Sequence, residues 1–228
     1  MKLYHNVKDA LAPVKDSDTI MVGGFGLIGA PLTLIDGLVD KDVHQLTIIS
    51  NNLGEQGEGL GILLQQKKVK KAIGSYFTSN RDVGDAYQRG ELDIELLPQG
   101  TLSESIRAGG AGIGGYYTKT SVGTELAKGK ETKIIDGEEF VFEKALKADV
   151  AIIRAKKADQ LGNLVYDKTA QNFNPLMATA AQYVVAEVDE MVEVGELASN
   201  EIDTPHLFID SLVVAKKVLT KEGVVPIE

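Results

Sequence analysis

The stretch Thr19-Ile20-Met21-Val22-Gly23-Gly24-Phe25-Gly26-Leu27-Ile28-Gly29-Ala30-Pro31 decides the fold. Thr19–Val22 is a short apolar run without alternation, the pattern of a strand covered on both faces. Glycines then interrupt the chain. Pro31 stands at the expected first position of a helix, where its fixed φ and missing N–H cost nothing. Leu32, Ile35, Leu38 and Val39 share one face of that helix.

Strand, turn and helix recur on either side of this unit. Leu46–Ile49 reads as a second strand, and Leu60, Leu63 and Leu64 mark a helix. Ala72–Tyr76 is a third strand, followed by Val83, Ala86 and Tyr87 at helical spacing, and Ile94–Leu97 is a fourth. Thr101-Leu102-Ser103-Glu104 has the form of a capping box opening the next helix, with Glu104 at its far end. Repeats of this length imply an α/β fold with an open, largely parallel sheet flanked by helices on both faces.

The last third reads differently. Asp136-Gly137 between apolar runs signals a two-residue hairpin. Val150–Ile153 and Val184–Val188 read as strands, a helix is expected near Pro175–Ala181, and Leu207–Ala215 is a further apolar run. The lysine-rich run Gln65–Lys71 reads as an exposed helix end. No linker or repeat divides the sequence, so residues 1–228 are expected to form a single domain.

Composition narrows the chemistry. The net charge of −9 disfavours wrapping a nucleic-acid backbone or lying on an anionic membrane, both of which need a basic face. There is no cysteine, which excludes a disulfide framework, a thiolate metal site and a thiol nucleophile. His5, His44 and His206 are too scattered for two imidazoles to share a helix face, so no metal site is expected. No apolar run approaches the roughly 20 residues of a bilayer span. A cytoplasmic protein is the expectation.

The glycine turn admits more than one reading from its residues. It can be a tight structural turn. It can also bring backbone N–H groups and a positive helix end to a phosphate or an oxyanion. Gly24-Phe25-Gly26-Leu27-Ile28-Gly29 satisfies the glycine pattern of a dinucleotide site, which would make the protein a nucleotide-dependent oxidoreductase. That pattern expects a ribose-binding acid about 20 residues on. The second strand ends instead in Ser50-Asn51-Asn52.

Taken from Asp16 to Pro31, the segment resembles the signature of the family I CoA-transferases: an acid or amide, a turn residue, three apolar residues, Gly-Gly-Phe, then Gly-x-Pro. It departs from that pattern at Ser17, where the family usually has Gly or Asn. Further family-like segments follow in order: Ser50–Gly54, Pro98–Leu102, Gly109–Thr118, Val122–Thr124, Arg154-Ala155, Asp159, Gly162-Asn163, Tyr166 and Met177-Ala178. The resemblance is fullest to A subunits of 3-oxoacid CoA-transferases and spans roughly residues 1–213.

The resemblance implies that CoA passes between succinyl-CoA or acetyl-CoA and a 3-oxoacid such as acetoacetate, a ketone body. The route runs through a glutamyl-CoA thioester. The glutamate belongs to a Ser-Glu-Asn-Gly motif on a separate B subunit, and this chain has no such motif. A hetero-oligomer is therefore implied, with coenzyme A as co-substrate and no tightly bound cofactor. Asn51 and Gln99 are the expected oxyanion and positioning donors at strand ends. Gly24, Phe25, Gly26, Leu27, Ile28, Gly29 and Ala30 are expected to line the CoA site, and Asn52, Gly114 and Gly115 to contact substrate. The last two lie in a segment with five glycines in the seven residues 109–115, which suits close packing against substrate or partner. A non-catalytic CoA-binding module is the remaining alternative.

Overall fold

The computed structural model describes residues 2–3 and 6–227, so His5 lies outside the described residues. The chain runs β1 (Lys2–Leu3), α1 (Val7–Ala10), β2 (Thr19–Val22), α2 (Leu32–Asp40), β3 (Leu46–Ile49), α3 (Leu60–Gln65), β4 (Val69–Gly74), α4 (Arg81–Gln88), β5 (Asp93–Leu96) and α5 (Gln99–Gly110). A small antiparallel sheet follows, from β6 (Gly115–Thr118), β7 (Thr132–Ile135) and β8 (Glu138–Lys144). The chain then re-enters the main sheet as β9 (Ala148–Asp159), β10 (Leu164–Val165), α6 (Asn174–Thr179), β11 (Ala181–Val192) and β12 (Ser211–Val214). It closes with the hairpin β13 (Lys217–Thr220) and β14 (Gly223–Pro226).

The main sheet has the order β1-β12-β11-β9-β2-β3-β4-β5, and every pair along it is parallel. Only β10, antiparallel on β9, departs from this. Strand order reverses between β2 and β9. At such a point the loops at the carboxyl ends diverge and leave a crevice.

Alternate residues of each strand feed two cores. Ile20, Val22, Ile48 and Ile152 pack with α1–α4 on one face. Met21, Ile49, Ala151 and Ile153 pack with α5 and α6 on the other.

Several sequence expectations are met to the residue, among them β2, β3 and the Asp136-Gly137 turn, where both residues take positive φ. Helix α2 starts one residue after Pro31. Ser17 sits at φ +65°, which explains why the resembling family favours Gly or Asn there.

Two readings are corrected. There is no capping box at Thr101: α5 begins at Gln99 behind Pro98, so Thr101 lies inside the helix with its hydroxyl buried and unpaired. Glu104 instead takes two hydrogen bonds from Arg107, at 2.7 and 2.8 Å. The run Gln65–Lys71 is an exposed helix end only at its start, where α3 stops at Gln65; a turn then leads into β4. Lys68 is buried there, and its ammonium donates to the carbonyls of Leu38 (3.2 Å), Val39 (2.7 Å) and Lys41 at the carboxyl end of α2.

Candidate active site

The adjacent strands β2 and β3 end in two loops of the same shape. In the first, Phe25 and Ile28 exchange backbone hydrogen bonds of 2.9 and 3.1 Å. In the second, Glu55 and Glu58 do the same at 3.3 and 3.1 Å. The loops interlock, since a Cβ on Gly59 would lie 2.9 Å from the Leu27 side chain. Between them is a cleft of about 10 Å³, room for about one water. Gly24, Gly26, Leu27, Ser50, Asn51 and Asn52 line it, and no carboxylate, imidazole or amine does among the described residues.

Asn51 and Asn52 are both buried here. The Asn51 amide donates to Ser75 Oγ at 2.9 Å, and the Asn51 carbonyl accepts the N–H groups of Ser75 and Tyr76, both at 3.0 Å. Asn52 Oδ1 accepts the Gly54 N–H at 3.3 Å. Each amide therefore retains N–H capacity, two protons on Asn52 and one on Asn51. The amide of Asn52 faces Gly26: a Cβ there would stand 3.9 Å from Asn52 Nδ2.

Gln99 is exposed at the first position of α5, two strands away from Asn51 across β4. At the usual strand spacing that is roughly 10 Å. The exposed Tyr76 follows the intervening strand. Asn51, Asn52 and Gln99 thus share the carboxyl edge, with the first two in direct proximity and Gln99 flanking them.

The expected anion site at the amino end of α2 is not open. Glu187, fully buried on β11, accepts the N–H groups of Thr33 at 2.9 Å and Leu34 at 3.1 Å. Its other oxygen accepts from Arg154 at 2.8 Å. Burial pushes the Glu187 carboxyl up to about 7, opposed by Arg154 and the helix N–H groups. A phosphate placed as in a dinucleotide fold would have to displace this carboxylate. The oxidoreductase reading loses its binding site, and any ligand of the Gly24–Ala30 loop must use the loop itself.

Two residues that the sequence did not single out hold that loop. Asn172 Oδ1 accepts the Gly24 N–H at 3.1 Å, and its amide donates to the Ile28 carbonyl at 3.0 Å. The buried Asn174 donates to the Gly29 carbonyl at 3.0 Å and accepts the Arg154 N–H at 2.9 Å. A Cβ on Gly23 would meet Asn174 Oδ1 at 1.8 Å. One on Gly29, at φ +69°, would meet the Ala170 carbonyl at 2.4 Å. Two amides flanking Phe173, just before a proline, were the available signal.

Gly114 and Gly115 are not brought to this cleft. Helix α5 leads away from the carboxyl edge for about 18 Å at 1.5 Å per residue. Its last glycines pack at the opposite end: a Cβ on Gly109 would lie 1.9 Å from the Leu146 carbonyl, and one on Gly110 2.1 Å from Thr179 Oγ1. Those partners immediately precede β9 and β11. Gly115 starts β6 against the Phe142 ring, 2.3 Å from a would-be Cβ, whereas Gly112 and Gly114 face open space. Gly109, Gly110 and Gly115 are closely packed against this chain itself rather than left free for substrate or partner.

A roomier cavity of about 260 Å³ lies on the other flank of the glycine loop, against β13. Its two cations are already paired, Arg154 with Glu187 and Asp189, and Lys156 with Asp189. It offers an anion little uncompensated charge. Lys119 is likewise paired, with Glu138 on the small sheet. Among the described residues no group of three potential His, Cys, Asp or Glu ligands could hold a metal, and no helix is long and apolar enough to cross a membrane.

The coenzyme A transferase family model matches residues 4–215. The chain is 48% identical over 212 residues to the A subunit of a probable succinyl-CoA:3-ketoacid coenzyme A transferase of Bacillus subtilis, covering 93% of this chain and 89% of that one. It is 44% identical to the alpha subunit of the acetate CoA-transferase of Escherichia coli K12, covering 92% and 96%. Among solved structures, an acyl-CoA transferase of E. coli O157:H7 in a thioester complex with CoA superposes with a TM-score of 0.84 at 24% identity. That likeness covers 93% of this chain and 47% of the other, so the chain spans about half of that structure, and it carries the fold alone. With a family model over nearly all of its length and relatives well above 30% identity, the chain belongs to the coenzyme A transferase family.

Proposed function

We propose that this chain is the A-type half of a two-subunit 3-oxoacid CoA-transferase, moving CoA between succinyl-CoA or acetyl-CoA and a 3-oxoacid such as acetoacetate. A cytoplasmic setting and a hetero-oligomeric assembly belong to the same proposal. The observation that carries it is a cleft with amide donors and no nucleophile: Asn51 and Asn52 line it, without a carboxylate, imidazole or amine among the described lining residues. Relatives that are themselves A or alpha subunits point the same way.

The chemistry divides accordingly. A glutamate of the partner attacks the acyl-CoA carbonyl, and the tetrahedral oxyanion expels CoA thiolate to leave a mixed anhydride. The thiolate then attacks the glutamyl carbonyl and releases the first carboxylate. The second carboxylate reverses these steps on the glutamyl-CoA thioester. Each addition places negative charge on an oxygen. Asn51 and Asn52 would supply N–H donors to it, each worth about 10²–10³ in rate by analogy with single oxyanion-hole donors, while the flanking Gln99 would position the substrate.

The surface around the cleft suits a covering partner. Exposed apolar side chains stand at the carboxyl ends of the strands beside it: Phe25 and Ile28 after β2, Tyr76 after β4 and Leu96 on β5. Such a rim around a narrow cleft favours burial under a second chain. The test is transfer from succinyl-CoA to acetoacetate, by the purified chain alone and with a B-type chain added. Activity only in the mixture supports the proposal, and robust transfer by the single chain sinks it.

A further inference from the structure

We infer that Asn172 and Asn174 are positioning residues that set the shape of the Gly24–Ala30 loop and so the geometry of the cleft. The inference rests on the reading of that cleft as the active site.

The loop is poorly determined by its own sequence. Gly24, Gly26 and Gly29 all take positive φ, and in the unfolded chain each samples many more conformations. The short Phe25–Ile28 bridge ties the tip to itself but not to the rest of the molecule. Leu27 and Ala30 pack the loop against the apolar core, and its polar ties to the body come through the clamp. Asn172 reads both edges of the loop at once, accepting from the Gly24 N–H and donating to the Ile28 carbonyl. Asn174 holds the base through the Gly29 carbonyl and anchors it to β9 through the Arg154 N–H.

The clamp is itself fixed, and at a cost. Asn172 sits at φ +26° and Lys168 at φ +49°, conformations that persist only when surroundings enforce them. Asn172 Oδ1 also accepts from Phe173 N–H at 2.7 Å, and the Asn174 amide donates to the Ala170 carbonyl at 2.9 Å. Gly26 of the clamped loop faces Asn52, so loop displacement changes the cleft wall opposite that donor. A donor array that must meet an oxyanion loses rate steeply on small misplacement, while ground-state binding suffers less.

The test uses the assembled two-subunit enzyme. Asn172→Ala should lower kcat about 10- to 100-fold, with KM for either substrate within about threefold of wild type. Amide hydrogen exchange should accelerate at Phe25–Ile28 while β2 and α2 stay protected. Asn172→Asp, which keeps the acceptor for Gly24 N–H and loses the donor to Ile28, should fall between. If Asn172→Ala does not assemble, Asn172→Asp carries the same comparison. A kcat within twofold of wild type overturns the inference, whether or not exchange rises. Asn51→Ala separates the two levels. Wild-type kcat in Asn51→Ala refutes the proposed site, whereas loss there with none in the Asn172 variants refutes the clamp alone.

Discussion

Glu187 accepts the backbone N–H of Thr33 at 2.9 Å across 154 residues of sequence, and so closes the helix end that follows the glycine loop. The same carboxyl meets Arg154, which makes it a buried junction of β9, β11 and α2. Its ionisation is held up to about 7 by burial. The folded protein therefore keeps this proton in a pH range where the unfolded chain has released it. The contribution is fully present below about 4.5 and is lost as pH rises through about 7. Urea midpoints of wild type and Glu187→Gln should diverge accordingly: wild type should lose ground to Gln between pH 5 and 8. Wild type gaining on Gln over that range would contradict the assignment.

The occupied helix end also makes a binding prediction. NADH should show no saturable fluorescence change with the isolated chain, because Thr33 and Leu34 N–H are already used. Tight binding would mean that the Glu187 contact opens in solution.

Lys68 closes the other end of α2. Its ammonium is surrounded by the carbonyls of Leu38, Val39 and Lys41, the arrangement that a helix carboxyl end favours. Lys68→Met should destabilise by about 1–3 kcal/mol by leaving buried carbonyls unpaired. Equilibrium unfolding measures it. A neutral result would mean that solvent reaches those carbonyls.

The glycines separate by what surrounds them. Gly29→Ala puts a methyl group 2.4 Å from the Ala170 carbonyl at a positive φ and should cost more than about 3 kcal/mol. Gly84, inside α4 with nothing within 4 Å of its would-be Cβ, should gain about 1 kcal/mol on replacement by Ala. Paired melting curves of the two variants should move in opposite directions.

What was legible in the sequence was local. Thr19–Val22 and Leu46–Ile49 carry their own apolar runs, and Asp136-Gly137 specifies its own turn. Strands β9 and β11 were seen only as Val150–Ile153 and Val184–Val188, although each has 12 residues. Their far halves are charged, and they stay in the sheet by pairing across it: Arg154 with Glu187, Lys156 with Asp189, Lys157 with Glu190. No apolar pattern announces such a strand. In the site, Asn51 and Asn52 were legible because they end a clear strand. Asn172, Asn174 and Glu187 were not, because their roles exist only once segments about 150 residues apart meet.

The central claim is that this chain supplies donors and a partner supplies the nucleophile. Its most direct test is intact mass measurement of both chains after brief incubation of the assembled enzyme with succinyl-CoA and no acceptor. A CoA adduct on the partner chain alone is the predicted result. An adduct on this chain would contradict the account.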